Sequence, residues 1–296
     1  MAKRTPRSAN RSSLAGIGFV TPLAIIIVVL FLVPLGLLIV MSFSNWPLLG
    51  TPSPAGLKNY KAIASNRFFL GAIGFTLTYT AIITVLVFGI SFLLVAISNA
   101  PRRGSQFYRT AFFLPYVVGT SAAALIWYAA INEQNGIANL VLEKVGLTEG
   151  PFGFLDTPGK ALFTTVTLVV WKFLGFQVVV LLVGLQGVPG ELYEAARMDG
   201  AGVVQRLRFI TLPFLRPTLA LLLILSITGS LLAFDQFQVL TQGGPDNSTV
   251  TLVFAVFKAA FQQYRLGSAA ALSVVLLVAL VLVNGAQLLL LRTRED

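Results

Sequence analysis

The sequence contains no Cys and no His. Without a thiol or an imidazole, the chain has no means to form a disulfide, to hold zinc through Cys or His ligands, or to use imidazole catalysis. It also lacks the G-x-x-x-x-G-K-[ST] loop with which many ATPases cradle phosphate. These absences predict a protein that is not an enzyme and binds no cofactor or metal of its own.

Charged residues are scarce as well. They make up 11% of the 296 residues, whereas hydrophobic residues make up 56%. The mean hydropathy is +0.84. A soluble domain of this length could not bury so much apolar surface, so the composition predicts a membrane protein.

Long apolar stretches are what the sequence does contain. Crossing about 30 Å of hydrocarbon takes roughly 20 helical residues. A lipid-exposed backbone must satisfy its own hydrogen bonds, so we predict an all-α polytopic membrane protein with about six transmembrane helices. We expect Pro22, Pro34 and Pro115 to kink helices or to lie near their ends, not to break a span. The predicted spans are 17–43, 71–99, 107–131, 161–187, 215–237 and 267–291.

A basic arm, residues 1–16, precedes the first span as it would in a secretory signal. The apolar stretch that follows is too long for a signal h-region and has no A-x-A-like cleavage site after it. It is therefore interpreted as a retained span.

Basic residues indicate how the chain is oriented. Most of the 21 Lys and Arg residues lie on the side of the N-terminus, and such residues are retained in the cytoplasm. Both termini, including the tail 292–296, are therefore predicted to be cytoplasmic. Because the basic residues are dispersed over four short segments, the net charge of +10 does not predict nucleic-acid binding. The residues on this side are Lys3, Arg4, Arg7, Arg11, Arg102, Arg103, Arg109, Arg197, Arg206, Arg208, Arg216, Arg292 and Arg294.

A polar segment, 189–213, connects the fourth and fifth spans. Acidic residues follow Pro189, which predicts the start of a short helix whose positive dipole end faces them. Gly200 and Gly202 predict where this helix ends. Ala195, Ala196 and neighbouring apolar residues form a small-residue face that suits docking into a partner's groove.

The spacing in this segment resembles the EAA loop of binding-protein-dependent ABC transporter permeases. The alternative is an ordinary solvated connection, which would not be expected to match at so many positions without a gap. The matching residues are Glu194, Ala195, Ala196, Gly200, Ile210, Leu212 and Pro213.

Further motifs look like those of the sugar-transporting branch of the family. The block that begins at Phe234 is the one most specific to that branch. The blocks are Gly56-Leu57-x-Asn59-Tyr60, Arg109-x-Ala111-x-Phe113-Leu114-Pro115, Gly136-x-x-Asn139, Trp171-Lys172-x-x-Gly175-Phe176, Gly184-Leu185-Gln186-x-Val188-Pro189, and Phe234-Asp235-x-Phe237-x-x-Leu240-Thr241-x-Gly243-Gly244-Pro245.

The resemblance implies one subunit of an ATP-driven importer in a bacterial or archaeal plasma membrane. An extracytoplasmic solute-binding protein would deliver a sugar or sugar-like solute, and this chain would pair with a second homologous permease, as a heterodimer. Two ATP-binding cassette subunits would hold the ATP and Mg and drive alternating access. The resemblance also implies a cytoplasmic coupling helix in the EAA loop, with Glu194, Ala195, Ala196, Asp199 and Gly200 as the ATPase-coupling residues.

Residues for the substrate path are predicted from membrane chemistry. Polar groups inside spans are costly and tend to face a cavity or a neighbouring helix, and aromatic faces suit sugar rings. Alternative roles remain for several of them: the aromatics as membrane-interface residues, Lys172 as a snorkelling or acid-paired group, and Asp235 as a cap on the fifth span. The candidates are Trp127, Tyr128, Lys172, Gln177, Ser230 and Asp235.

Two other classes of protein are alternatives. An ion-coupled secondary transporter, the main alternative, is expected to carry paired acids deep in several spans and often an internal repeat. An intramembrane enzyme needs acids, His or a nucleophile–base pair at membrane depth. Only Asp235 and Lys172 come near the description of a secondary transporter, and the spans offer no His and no acidic pair for an enzyme.

Overall fold

The computed structural model describes residues 19–98 and 105–291, with side chains for 19–96 and 110–290. The predicted basic arm (1–16), Arg102, Arg103 and the tail (292–296) lie outside the described residues. The helices are α1 (Phe19–Ser42), α2 (Lys58–Ser65), α3 (Arg67–Ser98), α4 (Ser105–Val117), α5 (Thr120–Ala130), α6 (Ile137–Lys144), α7 (Pro158–Gln186), α8 (Gly190–Met198), α9 (Val203–Leu231), α10 (Phe237–Thr241), α11 (Leu252–Gln262) and α12 (Leu266–Leu291).

Strands contribute one small ribbon between α1 and α2. β1 (Ser44–Asn45) pairs antiparallel with β2 (Ser53–Pro54), with Ser44 opposite Pro54. Asn59 of α2 ties this ribbon to the end of α1, because its Nδ2 donates to the carbonyls of Ser42 (2.9 Å) and Ser44 (3.0 Å).

Five helices, α1, α3, α7, α9 and α12, are long and apolar enough to cross a membrane. The bent pair α4 and α5 makes a sixth when it is counted as one span. The prediction of an all-α fold with about six spans is thus confirmed. Four of the helices, α1, α3, α7 and α12, begin and end within a few residues of the predicted bounds.

The third span differs from the prediction, because it is not one straight helix. The axes of Thr110–Val117 and Thr120–Ala130 are bent by 103°. Pro115 lies in the last turn of α4, where it removes one intrahelical hydrogen bond. Gly119 then adopts an extended ψ of 144° as the N-cap of α5. The expectation that Pro115 would leave the span unbroken is therefore wrong for 107–131.

The fifth helix is also displaced from its predicted bounds of 215–237. It begins at Val203, and a π-helical turn (Leu207–Thr211) leads it into Pro213 without a break. It ends at Leu231 although apolar residues continue beyond that point. The Thr251 hydroxyl donates to the Ala233 carbonyl (2.6 Å). This hydrogen bond stabilises a non-helical conformation of the chain directly after α9.

α7 is the central helix of the bundle and packs against α3, α4 and α9. Two glycines permit this close packing. A Cβ on Gly175 would lie 1.8 Å from the carbonyl oxygen of Phe112 in α4, and a Cβ on Gly184 would lie 2.7 Å from Thr218 Oγ1 in α9. The packing of α7 buries Lys172 and Gln177, two polar side chains in the middle of the helix.

Candidate functional site

A cavity of about 310 Å³ lies among α3, α7, α9, the junction of α4 and α5, and the connection between α9 and α10. This volume falls in the range of small-molecule sites. Aromatic rings form much of the wall, contributed by Tyr79, Tyr116, Phe173, Phe176 and Phe234. Hydroxyl, amide and carboxyl groups come from Gln177, Ser226, Ser230, Asp235 and Gln236.

Three of the six predicted path residues meet in this cavity. Gln177 comes from the middle of α7, Ser230 from the last turn of α9, and Asp235 from the connection that follows α9. Gln177 and Ser230 are 4% and 5% exposed, whereas Asp235 is exposed. Among the described residues Gln177 Nε2 has no hydrogen-bond partner.

The wall also contains a hydrogen-bonded polar pair, Tyr79 and Gln236, which the sequence analysis did not select. Gln236 Nε2 donates to the hydroxyl of Tyr79 at 3.1 Å, and both side chains are buried. The Tyr79 ring packs edge-on against Phe237, with centroids 4.9 Å apart. The sequence did contain a signal for Tyr79, because it is a polar residue in the second predicted span, and Gln177 was selected on that criterion.

Lys172 does not line the cavity but holds the broken third span. Its ammonium donates to the carbonyl oxygens of Tyr116 (3.2 Å) and Val118, and the residue is only 3% exposed. These carbonyls lie at the end of α4, where the helix has no further amide donors for them. A cation at this end also interacts favourably with the helix dipole. Lys172 thus neither snorkels nor pairs with an acid, and it caps the break.

Aromatic contacts join this capped break to the cavity. The Tyr116 ring stacks on Phe176 with centroids 4.4 Å apart and planes 13° apart, and meets Phe173 nearly edge-on at 5.9 Å. All three rings line the cavity. The position of one cavity wall therefore depends on the break that Lys172 caps.

The two remaining path candidates lie elsewhere. Trp127 is half-buried and packs against Trp171, with ring centroids 5.4 Å apart. Tyr128 lines a separate hollow of about 260 Å³ together with Glu133 and Phe154. The structure does not bring Trp127 or Tyr128 to the main cavity.

The Gly243-Gly244-Pro245 block forms a turn. Gly243 has a φ of +87°, which side chains rarely adopt. The Thr249 hydroxyl donates to the Gly244 carbonyl at 2.7 Å, and Lys258 Nζ donates to Asn247 Oδ1 at 2.9 Å. Burial lowers the pKa of Lys258 below its ordinary value. The hydrogen bonds in this segment stabilise the turn itself.

The five predicted coupling residues lie on and directly after α8, in which no residue is buried. Glu194, Ala195, Asp199 and Gly200 are exposed, and Ala196 is half-buried. They lie on a short helix at the surface, as the spacing after Pro189 predicted.

Gly200 ends α8 in the way that its position predicted. Its φ is +73°, its amide donates to the Arg197 carbonyl (3.1 Å), and the Ala201 amide donates to the Ala196 carbonyl (2.8 Å). These two bonds form a Schellman motif, in which glycine is the favoured residue at positive φ. The orientation of α8 on α9 is held by the hydrogen bond between the Tyr193 hydroxyl and Thr211 Oγ1 (2.9 Å).

Apolar side chains are exposed around the same segment. Met198 is 88% exposed, and Val203 and Val204 at the start of α9 are also exposed. α8 therefore presents a mixed surface of acidic, small and apolar side chains.

Comparisons with known proteins identify the family. Residues 93–295 match the model of the family described as binding-protein-dependent transport system inner membrane component. The chain is 31% identical over 280 residues to the probable ABC transporter permease protein YesP of Bacillus subtilis, covering 94% of this chain and 90% of that protein. It is 32% identical over 269 residues to the arabinooligosaccharides transport system permease protein AraP of Bacillus subtilis, covering 90% and 85%.

Another similar protein is the sn-glycerol-3-phosphate transport system permease protein UgpA of Escherichia coli. It is 31% identical over 272 residues, which cover 90% of each chain.

Solved structures share the fold. A chain of a bacterial ABC transporter involved in the import of the acidic polysaccharide alginate superposes with a TM-score of 0.83 at 23% identity, covering 97% of this chain and 98% of that chain. A chain from a bacterial alginate ABC transporter in complex with an alginate pentasaccharide-bound periplasmic protein gives a TM-score of 0.81 at 23% identity, covering 96% and 97%. With its membrane-spanning bundle and exposed α8, the chain belongs to the family of inner membrane components of binding-protein-dependent transport systems.

Proposed function

We propose that this chain is the permease subunit of an ATP-driven ABC importer for a sugar or sugar-like solute, in a bacterial or archaeal plasma membrane. The observation that carries the proposal is the cavity inside the spanning bundle, with its aromatic rings and its uncharged hydroxyl and amide groups. Sugars offer many hydroxyls together with apolar C–H faces, so this wall complements them. The names of relatives such as AraP point to the same class of solute.

Gln177, Ser230 and Asp235 are proposed to contact the solute as it passes. The first two are buried polar groups within spanning helices, a costly placement that transport would repay. Lys172 is proposed to act on the path indirectly, through the helix break that it caps. Trp127 and Tyr128 are assigned to packing and to the second hollow, outside the path.

α8 is proposed to be the coupling helix. It is exposed along its length, ends sharply at Gly200, and is braced on α9 through Tyr193 and Thr211. A push on α8 would therefore be passed to α9, whose last turn carries Ser230. Glu194, Ala195, Ala196, Asp199 and Gly200 would form the surface that a partner ATPase grips, and alternating access would follow from its opening and closing.

The proposed assembly has four kinds of subunit. This chain would pair with a second, non-identical permease, and two ATP-binding cassette subunits would hold the ATP and Mg, because this sequence has no phosphate-binding loop. An extracytoplasmic solute-binding protein would deliver the solute, as the periplasmic protein in the alginate transporter complex suggests. Both termini and α8 would be cytoplasmic, following the bias of Lys and Arg.

Reconstitution tests the proposal. The complex purified from its native membrane is placed in proteoliposomes with its solute-binding protein, and uptake of radiolabelled saccharides is measured with ATP or with a proton or sodium gradient. We expect uptake that requires ATP. Uptake driven by an ion gradient alone would contradict the proposal and favour a secondary transporter, a class that neither the comparisons nor the described residues support.

A further inference from the structure

The cavity has an uneven balance of charge. Among the described residues that line it there is one carboxylic acid, Asp235, and there is no Lys or Arg. The remaining polar groups are hydroxyls and amides, including Gln177, Ser230 and Gln236. On this chain's side, nothing in the described wall carries a positive charge for a bound solute.

The nearest buried cation is already engaged. Lys172 is adjacent in sequence to Phe173, which lines the cavity, but its ammonium is held by the carbonyls of Tyr116 and Val118. Turning Lys172 toward a solute would leave these buried carbonyls unpaired, which is costly. Lys172 therefore belongs to the framework of the cavity and does not line it; its ammonium lies behind the wall, 5.8 Å from the ring centroid of Tyr116 and 5.4 Å from that of Phe173.

An anionic solute would be disfavoured in such a cavity. A carboxylate or phosphate that leaves water needs a compensating positive charge, and Asp235 would add repulsion. An uncharged sugar has no such requirement. Its hydroxyls could pair with Gln177 Nε2, which has no partner among the described residues, and with the other wall groups.

We propose that the cavity selects uncharged polyhydroxylated solutes and rejects their carboxylated or phosphorylated analogues. The inference rests on the proposed function and deepens it. Membership of the family does not decide the matter, because similar proteins include one named for glycerol-3-phosphate transport and one involved in the import of the acidic polysaccharide alginate.

The first experiment compares matched solutes in the complete reconstituted transporter. The probes are galactobiose and arabinobiose, with glucose and glycerol, set against digalacturonate, glucose phosphate and glycerol phosphate. We expect ATP-dependent uptake only among the uncharged probes. Uptake of a charged probe in preference to its neutral counterpart would overturn the inference and leave the proposed function standing. If ATP drove uptake of no probe, the proposed function would fail and the inference with it.

The second experiment isolates the cavity from the solute-binding protein, which has a selectivity of its own. Binding of galactobiose and of digalacturonate is measured on the detergent-purified complex without that protein. The neutral sugar is expected to bind at least about 10-fold more tightly, since like charges at a binding surface cost several-fold to many-fold in affinity. Equal binding, or tighter binding of digalacturonate, would overturn the inference.

Substitution of the wall acid then locates the effect. Asp235→Asn should narrow the ratio of the two affinities several-fold by removing the repulsion. Glu133→Gln is the matched control, because it removes an exposed acid that lines the separate hollow, and it should leave the ratio unchanged. A ratio that is the same in Asp235→Asn and in the unmodified complex would contradict the assignment of selectivity to this cavity.

Discussion

Two consecutive helices, α7 and α8, differ in how far their residues are buried within this chain. Half of the most apolar stretch of α7 (50%) is buried, and its polar residues Lys172 and Gln177 are inside the bundle. No residue of α8 is buried. Contacts within this chain account for the glycine and polar residues of α7. The residues of α8 make few contacts within the chain that would account for their identity.

The difference teaches which parts of the protein are complete within one subunit. Gly175 is needed because α4 passes against it, and Lys172 because the broken span ends beside it. Glu194, Ala195 and Asp199 meet no such need within the described chain, since all three are exposed. A sequence pattern that internal packing does not require points to contact with another protein.

The largest effect is expected from changes in α8 that spare the fold. Glu194→Lys or Gly200→Asp should abolish solute uptake while the protein still inserts and assembles. The first reverses a charge on the surface that is proposed to face the ATPase, and the second strains a residue at a φ of +73°. Uptake is measured in membranes with equal amounts of complex. Glu143→Lys, which changes an exposed acid on α6, is the control. Near-normal uptake in both α8 variants would contradict the conclusion that the residues of α8, unlike those of α7, are needed for contact with another protein.

A loss of stability is expected from the tightest contact of α7. Gly175→Ala places a methyl group 1.8 Å from the position of the Phe112 carbonyl oxygen, so α4 must move. Overpacking of this kind costs about 1–3 kcal/mol or more. Thermal unfolding of the purified protein in detergent should show a lowered Tm. Gly159→Ala on the same helix meets nothing within 4 Å and should leave the Tm unchanged or raise it.

Removing the helix cap should affect transport more than assembly. Lys172→Met leaves the Tyr116 and Val118 carbonyls without their donor, at a cost of about 1–3 kcal/mol, which corresponds to a change of about 5- to 140-fold in an equilibrium constant. We expect the KM for solute to rise on that order, because Tyr116 lines the cavity. Lys172→Arg keeps the donors and should restore much of the affinity. An unchanged KM in Lys172→Met would contradict the role proposed for Lys172 in positioning the cavity wall.

The smallest effect is expected at the exposed edge of α8. Met198→Ala should leave the Tm unchanged, since the side chain is 88% exposed. It should weaken association with the ATPase subunits by about 1 kcal/mol, if that surface packs in the complex. Titration of the ATPase onto the detergent-solubilised permease measures this. A fall in Tm would show that Met198 supports this chain's own fold.

Much of this architecture was predictable because span length and hydropathy are local properties. The ends of α1, α3, α7 and α12 agree with the apolar stretches. The break after Val117 and the end of α9 at Leu231 were not predictable from hydropathy, since apolar residues continue across both. Each depends on a contact that is distant in sequence, from Lys172 in one case and Thr251 in the other.

The candidate site was partly predictable for the same reason. Polar residues in spans are visible in a sequence, and Gln177, Ser230 and Asp235 do meet in one cavity. Which of them meet depends on how the helices pack, so Lys172 could not be assigned to the α4 carbonyls in advance. The short helix after Pro189 and its end at Gly200 rest on local capping chemistry and were foreseen on that basis.

Identification of the partners tests the central claim most directly. The chain is purified from its native membrane in a gentle detergent, and the proteins that accompany it are identified by mass spectrometry. The account predicts a second permease with an EAA loop and an ATPase with a phosphate-binding loop. Recovery of the chain alone, transporting solute in proteoliposomes with only an ion gradient, would contradict the account.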